Sequence, residues 1–175
     1  MSVNHTRHND ERMQGLKPGL LTFRGLPAIL AISLFLLVSC GKDAMYDNTK
    51  RIPRGVWNKE EAVRFEVPVT DTVHPYRFYL NVRHSTDYRY SNVYFFINTV
   101  FPDGKKARDT VECILAQPDG KWIGKGISGT RDNQILLRVG LRFPMKGTYL
   151  FEFEQAMRED TLKGISDVGL RLVRD

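Results

Sequence analysis

The sequence predicts an all-β domain, a single antiparallel β-sandwich of immunoglobulin-like or jelly-roll type, behind an N-terminal tether. Three observations predict it. From Ala62 onward, apolar and polar residues alternate with a period of two, the spacing that puts every second side chain of a strand on one face. Turn-forming residues interrupt the alternation at short intervals. No amphipathic helical segment separates the strands, which argues for sheet packed on sheet. The 175 residues suit one domain, since independently folding units usually fall near ~100 to 150 residues.

In the first strand Val63, Phe65, Val67 and Val69 face one way, while Arg64 and Glu66 face the other. The pattern returns in Phe78, Leu80 and Val82, in Val93, Phe95, Ile97 and Phe101, and in Val111, Cys113 and Leu115. It returns again in Ile135, Leu137, Val139, Leu141 and Phe143, then Tyr149, Phe151 and Phe153, and finally Val168, Leu170 and Leu172. Seven or eight strands result. Asp71-Thr72 with Pro75, Pro102-Asp103-Gly104, Pro118-Asp119-Gly120 and Pro144-Met145-Lys146-Gly147 mark the turns, because proline presets its own φ and glycine accepts a positive one. Only residues 155–163 could hold a short helical turn. Cys113 shares its parity with Val111 and Leu115, so it is expected to be a buried, unpaired small hydrophobe.

The N-terminal part reads differently. Gly25 to Ser39 is an apolar run whose core, Leu26 to Val38, has the length of a signal-peptide h-region. It is too short for a membrane-spanning helix, which needs ~20 apolar residues. Lys17 and Arg24 supply the positive n-region, and initiation at Met13 instead of Met1 would give that region a more usual length. Leu37-Val38-Ser39-Cys40 matches the lipobox of bacterial lipoproteins at all four positions: small side chains admit the peptidase, and the thiol carries the diacylglycerol. The expected division is therefore residues 1–39 as a removed signal peptide, 40–61 as a lipidated tether and connecting loop, and 62–175 as the sandwich. The partner that follows is a membrane, held through lipid on Cys40.

The formal charge of +6 falls to +4 after Cys40, where 22 basic residues face 18 acidic ones. The excess is scattered, which argues against nucleic acid as a partner. Gly120 to Gly129 tempts a phosphate-loop reading. It has three residues between Gly120 and Gly124-Lys125 where that motif needs four, and Gly126 where it needs Ser or Thr. A glycine-rich hairpin anchored by Trp122 is the better reading. After Cys40 the histidines are only His74 and His84, without metal-ligand spacing, and His74 belongs to a turn open to solvent. No nucleophile elbow or reactive thiol is present, so the expectation is a protein that is not an enzyme, with no catalytic residues, no metal and no cofactor beyond the covalent lipid.

The richest aromatic and basic cluster is Tyr76, Arg77, Tyr79 and Arg83 with Tyr88, Arg89 and Tyr90. Tyrosine and arginine carry much of the energy at interfaces, and tyrosine also stacks on sugar rings, so these seven residues form the candidate binding surface. Asp71-Thr72-Val73, Asp109-Thr110-Val111 and Asp160-Thr161-Leu162 match an Asp-Ser/Thr-apolar pattern of bacterial O-glycosylation. Thr72 and Thr161, in expected loops, are the better candidates.

Pro75 to His84, Tyr88 to Asn92, Phe101 to Gly104, Asp109 to Cys113, Asp119 to Gly126, Phe143 to Tyr149, Glu154 to Arg158 and Gly164 to Arg171 are to be read together. In that order they resemble the gliding-motility lipoprotein family GldH of Bacteroidota. The resemblance runs in order through nearly all of the chain after Cys40 and includes the lipobox. It implies a component of the gliding apparatus and the linked type IX secretion system, working through contacts with envelope proteins, and it carries over no catalytic residue. It leaves oligomeric state open. Gly41 follows the lipidated cysteine and only Asp43 among the next few residues is acidic, which points to an outer-membrane lipoprotein facing the periplasm. A carbohydrate-binding sandwich is the alternative that the tyrosine content allows.

Overall fold

The computed structural model describes residues 44–175. The expected signal peptide, the lipobox and Cys40 lie outside the described residues. Ten strands and one 3-10 turn make up the domain: β1 Ala44–Arg51, the turn Pro53–Gly55, β2 Val56–Asn58, β3 Val63–Val69, β4 Tyr76–Ser85, β5 Asn92–Val100, β6 Lys106–Ile114, β7 Thr130–Leu141, β8 Gly147–Gln155, β9 Thr161–Lys163 and β10 Ile165–Arg174.

Two four-stranded antiparallel sheets form, one in the order β1-β10-β4-β7 and the other in the order β3-β8-β5-β6. Among the eight long strands, the first pairs with the last (β1 with β10), the second with the seventh (β3 with β8), the third with the sixth (β4 with β7) and the fourth with the fifth (β5 with β6). That is one long antiparallel ribbon rolled into two sheets. It decides between the two sandwich types that the sequence leaves open, in favour of the jelly roll.

The core lies between the sheets. Phe65, Phe95, Phe153, Leu80, Leu115, Leu170 and Leu172 are all buried there, and aromatic edges meet faces, as between Phe65 and Phe153 at 5.6 Å and Phe78 and Phe151 at 5.5 Å. The short pair β2 and β9 covers one end. Trp57 of β2 stacks obliquely on Phe95 at 5.7 Å, and its indole N–H donates to the Glu61 carbonyl at 2.7 Å. Cys113 is buried and unpaired.

Four expectations are corrected. Residues 44–58 are not tether: β1 pairs with β10 along its length and β2 with β9. Apolar alternation fails to mark β1 because an edge strand leaves much of its surface wet, and Lys50, whose ammonium lies 5.7 Å from the Phe65 ring, covers core with its stem. Gly169 of β10 makes the close approach possible, since a Cβ there would run into the Thr49 hydroxyl. Residues 155–163 hold no helical turn. Gln155 ends β8, and its buried amide accepts from Met157 N–H at 2.9 Å and donates to the Glu159 carbonyl at 2.8 Å, which shapes a loop before β9. Phe143 is buried in the loop after β7, not in the strand. Val139 is 62% exposed, because the β4–β7 register slips around Phe78 and turns it out of the core.

Candidate functional site

The seven-residue cluster read from the sequence does not form one surface. Along β4 the even positions face the core and the odd ones face solvent. Tyr76 is fully buried; its ring packs on Phe143 at 5.6 Å and its hydroxyl donates to the Asp71 carbonyl at 3.3 Å. Tyr88 is buried as well, donating to the Asn92 carbonyl at 3.0 Å, and burial raises its phenol well above the usual range. Both are corrections: they are core residues and no part of a binding surface.

Arg77, Tyr79 and Arg83 do share the outer face of β4, and their charges are matched there. Arg77 binds Asp175 at 2.6 Å, and Arg83 binds Asp132 at 2.5 Å with Asp167 at 3.8 Å. Tyr90 stands beyond the far end of β4 with its hydroxyl donating to Glu159 at 2.5 Å, and Arg89 beside it is exposed. Thr161 is exposed at the start of β9, whereas Thr72 is half-buried. The Asp71 carboxylate before it accepts from Val73 N–H at 2.9 Å, which holds the group well below the usual carboxylate range, and it also meets His74 and Arg174. His74 is exposed, as a turn residue should be.

The glycine-rich stretch after Gly120 forms turns and two isolated bridges, Ala116 with Trp122 and Lys125 with Asp132, and then leads into β7 without a helix. Trp122 anchors it against His84, ring centre to ring centre 4.5 Å. His84, which has no metal-ligand spacing in the sequence, lies on the inward face of β4. It is fully buried, its Nδ1–H donates to the Ser85 carbonyl at 2.8 Å, and Nε2 has no partner among the described residues. Among the described residues no group of three or more His, Cys, Asp or Glu side chains lies close enough to hold a metal ion.

A groove with the shape of a binding site runs along the seam between β6 and β7. Each is the last strand of its sheet, and they lie on the same side of the sandwich. On the opposite side Tyr46 of β1 meets Phe65 of β3, and a smaller cavity of about 320 Å³ remains beside Lys50 and Val63. On this side the seam stays open as a groove of about 420 Å³. Ile97, Val111, Leu137, Leu141 and Phe151 line its walls, with Phe101, Phe143 and Tyr149 at one end. Asp109 and Arg138 reach into it from opposite strands, and neither has an ion-pair partner among the described residues. Sequence reasoning missed this seam because strands adjacent only across two sheets leave no local pattern. The one signal was a charge, Asp109, where alternation with Val111 and Cys113 calls for an apolar residue.

Comparison with known proteins fits this architecture to a family. The profile described as GldH lipoprotein matches residues 44–172, nearly the whole described domain. The chain belongs to the GldH lipoprotein family. Two relatives show how far the likeness extends. The protein named gliding motility lipoprotein GldH homolog from Christiangramia forsetii is 32% identical over 151 residues, covering 82% of this chain and 92% of its own. The protein named gliding motility lipoprotein GldH from Flavobacterium johnsoniae is 31% identical over 151 residues, covering 82% and 93%. The family match begins at Ala44, the first residue of β1, so the strand that the sequence hides as tether lies within the shared domain.

Proposed function

We propose that this family member is a non-enzymatic contact protein of the gliding-motility and type IX secretion apparatus. It is held in the outer membrane by lipid on Cys40, faces the periplasm and binds other envelope proteins. The observation that carries this reading is the open β6–β7 seam, an apolar groove edged by the outermost strands of the two sheets. Such edges are normally covered or blunted, and a groove left wet along them is a place where another chain can pair. The names of the two relatives support the motility context. The matched charges on the outer face of β4 give a solvated surface more than a stacking platform for sugars.

Co-purification from detergent-solubilised membranes tests the reading. Gliding or secretion components are expected to travel with the lipidated chain. Retention on a glycan array with no protein companions would replace it with the carbohydrate-binding alternative.

A further inference from the structure

We propose that the β6–β7 groove receives an extended segment of a partner protein, one that alternates apolar residues with acidic ones and adds a strand to the open seam. The inference rests on the contact role above and names its surface and its ligand chemistry.

Three observations converge. First, β6 pairs with a neighbour on one side only, and so does β7 beyond a single bridge of Asp132 to Lys125 near its start, so alternate backbone N–H and C=O groups point outward along the seam. Another strand satisfies such a row; a helix or an acyl chain does not. Second, the walls are apolar where a strand's inward side chains would sit. Ala107, Asp109 and Val111 occupy the inward positions of β6, opposite Thr99, Ile97 and Phe95 of β5, yet Ala107 and Asp109 are exposed. These inward positions therefore lack the covering that the sheet geometry provides elsewhere. At ~3.4 Å per residue, a segment of about six residues would run the length of this stretch.

Third, the charges select the occupant. Arg138 and Arg142 line the groove and Lys106 borders it, so cations outnumber Asp109, although Arg142 also donates to the Val73 carbonyl. Arg108 is already engaged, lying 4.0 Å over the Phe96 ring and 3.4 Å from Glu154. Acidic side chains on the incoming strand would meet Arg138 and its neighbours, and one hydroxyl, amide or cation would answer Asp109. A second copy of this chain would bring the same cations together, and an acyl chain would leave Asp109 and Arg138 desolvated without partners. Asp109 also explains why the seam does not pair indiscriminately, since an inward charge on an edge strand is a barrier to any segment that cannot satisfy it.

The test uses the full lipidated chain in its own membranes, with the photoreactive residue p-benzoylphenylalanine placed at position 107 and, as a control, at position 134. Gln134 is exposed on the outer face of the other sheet, hydrogen-bonded to Asn81 at 3.2 Å. Irradiation is expected to give an adduct at 107 and not at 134. Sequencing of the cross-linked peptide should return a segment of another envelope protein with alternating apolar residues and acids among the remainder. Arg138→Glu should lower the adduct yield about tenfold, the equivalent of ~1.4 kcal/mol, and Arg138→Lys should retain most of it. An adduct with a second copy of this chain, an adduct with phospholipid, or no adduct at 107 would overturn the proposal. If 107 stays silent while secretion components still co-purify, the groove assignment fails and the contact role stands. If neither appears, both fail.

Discussion

Tyr46 of β1 meets Phe65 of β3 edge-on across the two sheets, ring centres 6.5 Å apart and planes at 86°. This contact, with Lys50 over the same ring, narrows one side of the jelly roll, where a cavity of about 320 Å³ remains, while the β6–β7 side holds a groove of about 420 Å³. The asymmetry makes β1 part of the fold, and it leaves the proposed contact surface on the far side.

The role of β1 can be measured. Gly169→Val forces a side chain into Thr49 and the Asn48 carbonyl and should lower stability by about 1–3 kcal/mol in urea unfolding, the usual cost of overpacking. Removing residues 44–51 should leave β10 as a bare apolar edge and produce aggregation. Unchanged unfolding in both variants would return the segment to the status of a tether.

Cys113 is fully buried, and burial pushes its thiol up to about 12, with Glu112 adding to the shift. Only the thiolate reacts readily. A water-soluble maleimide at pH 8 should leave the native domain unmodified and label it completely after denaturation. Rapid native labelling would contradict the packing of β6.

His84 makes stability depend on pH. Burial lowers its pKa in the folded protein, aided by Arg131 and opposed by the hydrogen bond to Ser85. The unfolded chain takes up the proton near pH ~6.5, so it binds more protons than the folded one below that value. Stability should fall as pH drops from about 6.5 toward 5.5, with a slope of at most ~1.4 kcal/mol per pH unit for one proton. Asp71, held low, contributes only in stronger acid. His84→Phe should flatten the profile in this window; an equal slope in variant and parent would assign it elsewhere.

The tyrosines of the dispersed cluster should separate by side. Tyr76→Ala and Tyr88→Ala each empty a buried aromatic site and should cost about 3–5 kcal/mol. Tyr79→Ala, on the outer face of β4, should stay within about 1 kcal/mol. Similar losses at all three would mean that β4 is in the wrong register.

These residues also show what the sequence made legible. Strands β3, β4, β5, β8 and β10 follow from alternation because each buries one full face, and the same parity in β4, extended two residues either way from Phe78 and Val82, places Tyr76 and His84 inside. Treating the tyrosines as a group by nearness in sequence hid that. Strands β1, β2 and β9 were hidden for another reason: edge and three-residue strands bury too little to impose a period. The winding into a jelly roll depends on pairings such as Ala44 with Val173, which no local pattern encodes. The groove depends on β6 and β7 being neighbours across two sheets, and the Val139 parity failed because a register slip is set by tertiary packing.

The proposed anchoring of the folded domain through Cys40 is open to metabolic labelling with a clickable fatty acid. The wild-type chain should take up label and sediment with membranes. Cys40→Ala should take up none and lose its secretion-apparatus companions, although its domain remains folded. Label persisting on Cys40→Ala at the wild-type level would contradict the anchor and the placement built on it.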